Sequence, residues 1–263
     1  MATQPLNSVI LHLLLLASGG GTASAARVFT FNNSCSHTVW PGTLSGNGAA
    51  VLGGGGFEMP ANTVVAFQAP AGWSGRFWAR TGCIFGTANG SGSCATGDCG
   101  GTLKCSAGGK TPATLAEFTL GRTEGDKDFY DVSLVDGYNI GVGVTAAGKA
   151  AEEGAAGDNC GYAGCVSDVN GRCPAELRVA GASGETVGCR SACEAFGGDQ
   201  YCCTGPRSSP GTCGPTRYSQ LFKTACPAAY SYAYDDSSST RTCAAGADYL
   251  ITFCPASISP AAG

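Results

Sequence analysis

The sequence predicts a mainly β protein, a sandwich or barrel, and three observations carry that prediction. Seven short β-favouring runs are bounded by Gly, Pro and Asn. Glycine numbers 42 while charged residues make up only 13%, a turn-rich composition. Sixteen cysteines, an even count, point to an oxidised chain stapled by disulfides.

Residues 1–25 read as a secretory signal peptide. Val9 to Ala17 is mostly apolar and too short to span a bilayer as a helix. Gly19-Gly20-Gly21 and the small-x-small pattern Ala23-Ser24-Ala25 follow it. No later apolar run reaches spanning length, so no integral membrane segment is expected. The tail 255–263 carries neither a lipid-anchor signal nor an obvious vacuolar extension, which favours the extracellular space (apoplast) over the vacuole.

The expected strands are Val28 to Asn32, Thr63 to Gln68, Gly75 to Thr81, Leu115 to Leu120, Phe129 to Val135, Tyr138 to Val144 and Tyr249 to Phe253. Two segments break the pattern. Within Gly214 to Cys226, Tyr218, Leu221, Phe222 and Ala225 fall at helical spacing, with Pro215 near the start. Cys189 to Phe196 reads as a short helix pinned by two cysteines. Helical and cysteine-dense material therefore concentrates between about 146 and 226.

Alternation sorts the strand faces. Phe77 opposes Arg76, Trp78 and Arg80; Phe118 and Leu120 oppose Glu117 and Thr119; Val132 and Leu134 oppose Asp131 and Ser133. Each strand thus offers charge on one face and apolar bulk on the other. Alternation alone leaves open whether Arg76, Glu117 and Asp131 share one surface.

Composition excludes several chemistries. After residue 25 the one histidine is His37, so a Ser-His-Asp or Cys-His mechanism would rest on it alone, and it reads as a partly buried or surface histidine. Cys160-x4-Cys165 and Cys189-x3-Cys193 have spacings that could ligate zinc but read as disulfide partners in an oxidising compartment. No metal and no cofactor are expected. A net charge of −4 argues against nucleic acid as a partner.

The stretch Gly90-Ser-Gly-Ser-Cys94-Ala-Thr-Gly-Asp98-Cys99-Gly-Gly-Thr-Leu-Lys-Cys105 resembles the signature of thaumatin-like proteins. The resemblance runs on through Pro112-Ala-Thr-Leu-Ala-Glu117-Phe118 and Asp128-Phe-Tyr-Asp131-Val-Ser-Leu-Val-Asp136-Gly-Tyr-Asn139. It resumes at Cys173-Pro-Ala-Glu-Leu-Arg-Val179, Phe196-Gly-Gly-Asp-Gln-Tyr-Cys202-Cys203, Cys213-Gly-Pro-Thr, Cys226-Pro-Ala-Ala-Tyr-Ser-Tyr and Phe253-Cys254-Pro255. It covers essentially the whole chain after residue 25, all sixteen cysteines included.

The resemblance implies a flattened antiparallel β-sandwich over 26–82, 106–145 and 227–254. It adds a small disulfide-looped lobe at 83–105, a disulfide-rich, partly helical domain at 146–226 and the tail 255–263. By order of cysteines it implies eight bridges: Cys35–Cys254, Cys83–Cys94, Cys99–Cys105, Cys160–Cys243, Cys165–Cys226, Cys173–Cys189, Cys193–Cys202 and Cys203–Cys213. The family's acidic cleft carries over to Arg76, Glu117, Asp131, Asp136 and, from Tyr234-Asp235-Asp236, to Asp235.

Crowded carboxylates should couple and raise at least one pKa, with Arg76 offsetting part of the repulsion. The implied function is that of a secreted, monomeric, antifungal, pathogenesis-related plant defence protein that binds β-1,3-glucan or another fungal wall polysaccharide through this cleft. The alternatives are a weak endo-β-1,3-glucanase, with Glu117 as acid and Asp131 as its partner, or an inhibitor of a foreign hydrolase. Where the family often has proline and methionine after Asn139, this chain has Ile140-Gly141-Val142-Gly143, in a loop expected to border the cleft. Asn32 and Asn89 lie in glycosylation sequons, with Asn89 preferred.

Overall fold

The computed structural model describes residues 26–46, 48–86, 90–153 and 158–256; the expected signal peptide, the tail beyond Ala256 and Asn89 lie outside the described residues. The first strands are β1 (Arg27–Asn33), β2 (Trp40–Ser45), β3 (Val64–Ala69) and β4 (Ser74–Arg80). A small hairpin, β5 (Ile84–Phe85) with β6 (Gly92–Ser93), follows. Then come β7 (Leu115–Thr119), β8 (Lys127–Ser133), β9 (Val142–Ala147) and β10 (Ala163–Gly164). A second hairpin pairs β11 (Arg178–Ala180) with β12 (Thr186–Cys189), and β13 (Arg241–Ala244) and β14 (Asp248–Phe253) come last.

Two five-stranded sheets result, in the orders β10-β9-β14-β1-β3 and β13-β8-β7-β4-β2. Their neighbours pair antiparallel except β1 and β14, which run parallel. The first and last strands thus lie side by side, and Cys35–Cys254 clips them just beyond the Asn33–Phe253 pair. The chain is mainly β, as expected, and its eight disulfides are the pairs implied by the order of cysteines.

Alternation explains the core. Phe29 and Phe31 of β1, Phe77 of β4, Phe118 of β7, Tyr130 of β8 and Tyr249 of β14 are all buried between the sheets. Phe29 meets Trp73, Phe77 and Phe118 edge-on at centroid distances of 5.4, 5.1 and 4.7 Å, the geometry that ring quadrupoles favour. Of the expected strands, Tyr138 to Val144 starts late, at Val142. Asn139 is the reason. Its buried amide accepts from Thr114 N and donates to Ala79 O and Thr96 Oγ1, which pins the chain outside any regular ladder.

The helices are short: α1 (Lys149–Glu153), α2 (Ala192–Phe196), α3 (Asp199–Cys202), α4 (Arg217–Ala225) and α5 (Asp236–Ser239). Among the described residues no helix is long and apolar enough to cross a membrane. α4 begins two residues after Pro215 because Thr216 caps it. The Thr216 hydroxyl accepts from Ser219 N, and the Ser219 hydroxyl accepts from Thr216 N at 2.7 Å, a reciprocal capping box. Thr216→Ala is expected to cost about 1 kcal/mol in urea unfolding; an unchanged midpoint would show that packing of Tyr218 and Phe222 alone holds the helix.

Arg80 keeps the face expected of it but is not exposed there. It shares the outer face of β4 with Arg76, yet it is fully buried because the 90–105 segment folds over it. Its guanidinium donates to Trp40 O, Thr102 O and Leu103 O at 2.8 Å each, and to Pro41 O at 3.3 Å. Asn139 adds a second tie by holding Thr96.

Candidate functional site: an acidic groove

Three adjacent strands place the central charged residues in one row. The register pairs Arg76 of β4 with Glu117 of β7, and Glu117 with Asp131 of β8. Directly paired residues project from the same sheet face with Cβ atoms about 4.5–5.5 Å apart. Leu44 of β2 pairs with Arg76 and extends the row by one strand. Phe77, Phe118, Tyr130 and Val132 are buried on the opposite, core-facing side. The row therefore belongs to the outer face of the sheet.

Two adjoining depressions of about 360 and 420 Å³ share Arg76, Glu117 and Asp131 and form one open groove. On one side the groove continues over Leu44, Thr119 and Phe129; on the other it continues over Ser133, Asp136 and Tyr230. Gly108 lies against Arg76, so closely that a Cβ there would come within 2.9 Å of the guanidinium.

Charge crowding sets the protonation of the groove. Burial, then the charges of Glu117 and Asp236, push the Asp131 carboxyl up to about 8. Glu117 is also raised, by burial first; Arg76 opposes the rise and Asp136 adds to it. The Asp131 Oδ1 atom is buried without a hydrogen-bond partner among the described residues. Asp131 therefore keeps its proton at neutral pH, while Arg76 opposes the same tendency in Glu117.

The structure brings Arg76, Glu117, Asp131 and Asp136 to this groove and places Asp235 elsewhere. Asp235 is buried, accepting from Lys223 Nζ at 2.9 Å, Ser231 N at 3.0 Å, and the Ser231 and Ser238 hydroxyls at 2.8 and 2.9 Å. Burial alone would raise its pKa, but these donors together hold it below the usual range. It anchors α5 to α4. Its neighbour Asp236 is the one whose charge reaches Asp131, and it accepts from Tyr230 Oη at 2.8 Å.

Phe129 was absent from the expected set. It sits two residues before Asp131 on the same face and remains 46% exposed, an aromatic surface beside the carboxylates. Ile140 and Gly141, expected to border the groove, instead line a separate cavity with His37 and Asp168. Asn32 lies within β1, paired to Thr252 and Val64, and donates to Ser34 Oγ at 3.1 Å.

Residues 33–255 match the Thaumatin family. The chain belongs to that family. Among its thaumatin-family relatives, pathogenesis-related thaumatin-like protein 3.5 of Cryptomeria japonica is 56% identical over 246 residues, covering 93% of this chain and 97% of the relative. Pathogenesis-related protein 5 of Arabidopsis thaliana is also 56% identical over 246 residues, covering 94% and 97%. A Prunus avium protein named glucan endo-1,3-beta-glucosidase is 48% identical over 249 residues, covering 94% and 98%.

What the thaumatin-family motifs did not reveal was the choice between Asp235 and Asp236, because side-by-side residues in a turn carry no periodicity. The exposure of Phe129 did have a sequence signal: its position two before Asp131 puts it on the charged face.

Proposed function

We propose that this protein is a secreted plant defence protein whose acidic groove binds β-1,3-glucan of fungal walls as a monomer. The pathogenesis-related relatives support a defence role, and eight disulfides are consistent with an extracellular location. The observation that carries the reading is the cross-strand row Arg76–Glu117–Asp131, laid in an open groove beside Phe129. Ionised Glu117 accepts sugar hydroxyls, Arg76 donates to sugar oxygens, and protonated Asp131 supplies another donor. Phe129 offers its ring to the apolar face of a pyranose.

A second reading, weak endo-hydrolysis, is favoured by one specific feature: a carboxyl that keeps its proton beside one that does not. In that case Asp131 is the acid on the leaving oxygen and Glu117 the base or nucleophile, the reverse of the assignment suggested by the sequence. The glucosidase name of the Prunus avium relative supports this reading.

Co-sedimentation with insoluble β-1,3-glucan, with reducing-sugar release measured on the same samples, tests both. Wild type should sediment. Glu117→Gln should bind at least about tenfold more weakly, the scale of one lost hydrogen bond to a charged group. Phe129→Ala should bind about fivefold more weakly, for roughly 1 kcal/mol of lost apolar contact. Release by wild type that vanishes in Glu117→Gln would favour the hydrolytic reading. Wild type that neither sediments nor releases sugar would refute both.

A further inference from the structure

The cavity lined by Ile140 and Gly141 lies apart from the acidic groove and shares none of its lining residues. Its volume, about 420 Å³, falls within the range of small-ligand pockets, roughly 300–1,000 Å³. It forms where three segments meet beside Cys254-Pro255-Ala256, the stretch after β14: the loop after β1 with His37, the Tyr138–Gly141 segment before β9, and the Ser167–Asn170 turn. Each is fixed from behind. Asn33 Nδ2 donates to His37 O at 3.0 Å, Tyr138 exchanges backbone hydrogen bonds with Cys189, and Asp168 accepts from the backbone N–H groups of Asn170 and Gly171. The site is preorganised by hydrogen bonds rather than assembled from mobile loops.

Its chemistry is that of acceptors. Burial first, then the adjacent Asp168 charge, pushes the Tyr138 phenol upward, so it keeps its proton and donates it to Asp168 Oδ1 at 2.9 Å. The Asn170 side-chain nitrogen donates to Asn139 O at 2.8 Å, which fixes the amide and makes its Oδ1 the free end. That oxygen is shielded from solvent and has no hydrogen-bond partner among the described residues, so it lies beneath the cavity surface rather than on it. His37, Ser167 and Asp168 are exposed around the opening. Gly141 keeps the interior clear: a Cβ there would lie 3.3 Å from Pro255 Cδ and 3.6 Å from Tyr138 Oη. Among the described residues no lysine or arginine lines the cavity, so these offer no charge complement for an anion.

We infer that this cavity is a second binding site, for a neutral saccharide unit whose hydroxyls donate to Asp168 while His37 and Ser167 close around it. The site does not depend on the proposed role of the groove. A two-site protein would cross-bridge or grip a polysaccharide at two points, with avidity beyond either site alone.

The test is a ¹H–¹⁵N titration of the full chain with the β-1,3-linked glucose disaccharide, in wild type, Glu117→Gln, His37→Ala and Ser167→Trp. The inference expects shifts at Gly141, Ser167 and the Asn170 side-chain amide in both wild type and Glu117→Gln. Ser167→Trp, which fills the opening from an exposed position, should abolish these shifts without altering those of the groove. His37→Ala should weaken them about three- to tenfold, the scale of one hydrogen bond. Shifts confined to groove residues, shifts absent up to about 50 mM sugar, or equal shifts with glycerol would each overturn it. Loss of groove shifts in Glu117→Gln with the cavity shifts intact would bear on the groove alone.

Discussion

Asp131→Asn is expected to make the folded protein more stable, by about 2–4 kcal/mol near pH 9. In the folded chain Asp131 is raised from 3.8 to about 8, by burial first and then by Glu117 and Asp236. Below about pH 4 the folded and unfolded chains both hold the proton, and the site costs nothing. Between about 4 and 8 the unfolded chain releases the proton and the folded chain does not. Stability therefore falls across that window, and the full penalty is present above about 8. A shift of this size corresponds to roughly 5–6 kcal/mol at most, and solvent in the open groove screens part of it. Asparagine has no proton to lose, so its stability profile should be flatter there and meet wild type in acid. Urea unfolding at several pH values checks this. Equal stability near pH 9 would mean that the Asp131 carboxyl ionises freely.

Arg80→Met should be the most damaging single change outside the core, costing about 3–5 kcal/mol. Methionine keeps much of the stem volume but leaves the carbonyls of Trp40, Pro41, Thr102 and Leu103 without the guanidinium. Unpaired buried acceptors cost about 1–3 kcal/mol each, less where water enters. Burial lowers the Arg80 pKa to about 10, with Asp98 opposing, so it remains a cation at neutral pH. Losing it should loosen the 90–105 segment first. Faster proteolytic nicking there, together with a lower urea midpoint, is the expected result. An unchanged midpoint would show that Cys83–Cys94 and Cys99–Cys105 hold the segment without Arg80.

These two residues show what the sequence could convey. Alternation placed Arg76 and Arg80 on the same face of β4, and that was right; one lines a groove and the other is buried, because the 90–105 segment folds back over only the second. Likewise each of Arg76, Glu117 and Asp131 was legible as outward-facing from its own strand. Their alignment in a row depends on the pairing of β4, β7 and β8, which no single strand encodes. Asp235 was misplaced for a related reason: its partner Lys223 lies on α4, and only the packing of α5 against α4 brings them together. β2 went unread because Pro41-Gly42 looks like a turn, whereas as an edge strand it tolerates the missing N–H of proline. The disulfide pairing was legible through family resemblance alone.

The central claim, that the crowded carboxylates of the groove are a saccharide site, is tested most directly by carboxyl ¹³C NMR of Asp131 across pH, with and without a linear β-1,3-glucan hexasaccharide. The free protein should show Asp131 titrating near 8, and the sugar should move that midpoint upward, because it binds the protonated form better. A midpoint near the ordinary aspartate value, unmoved by saturating sugar, would contradict both the electrostatics and the function drawn from them.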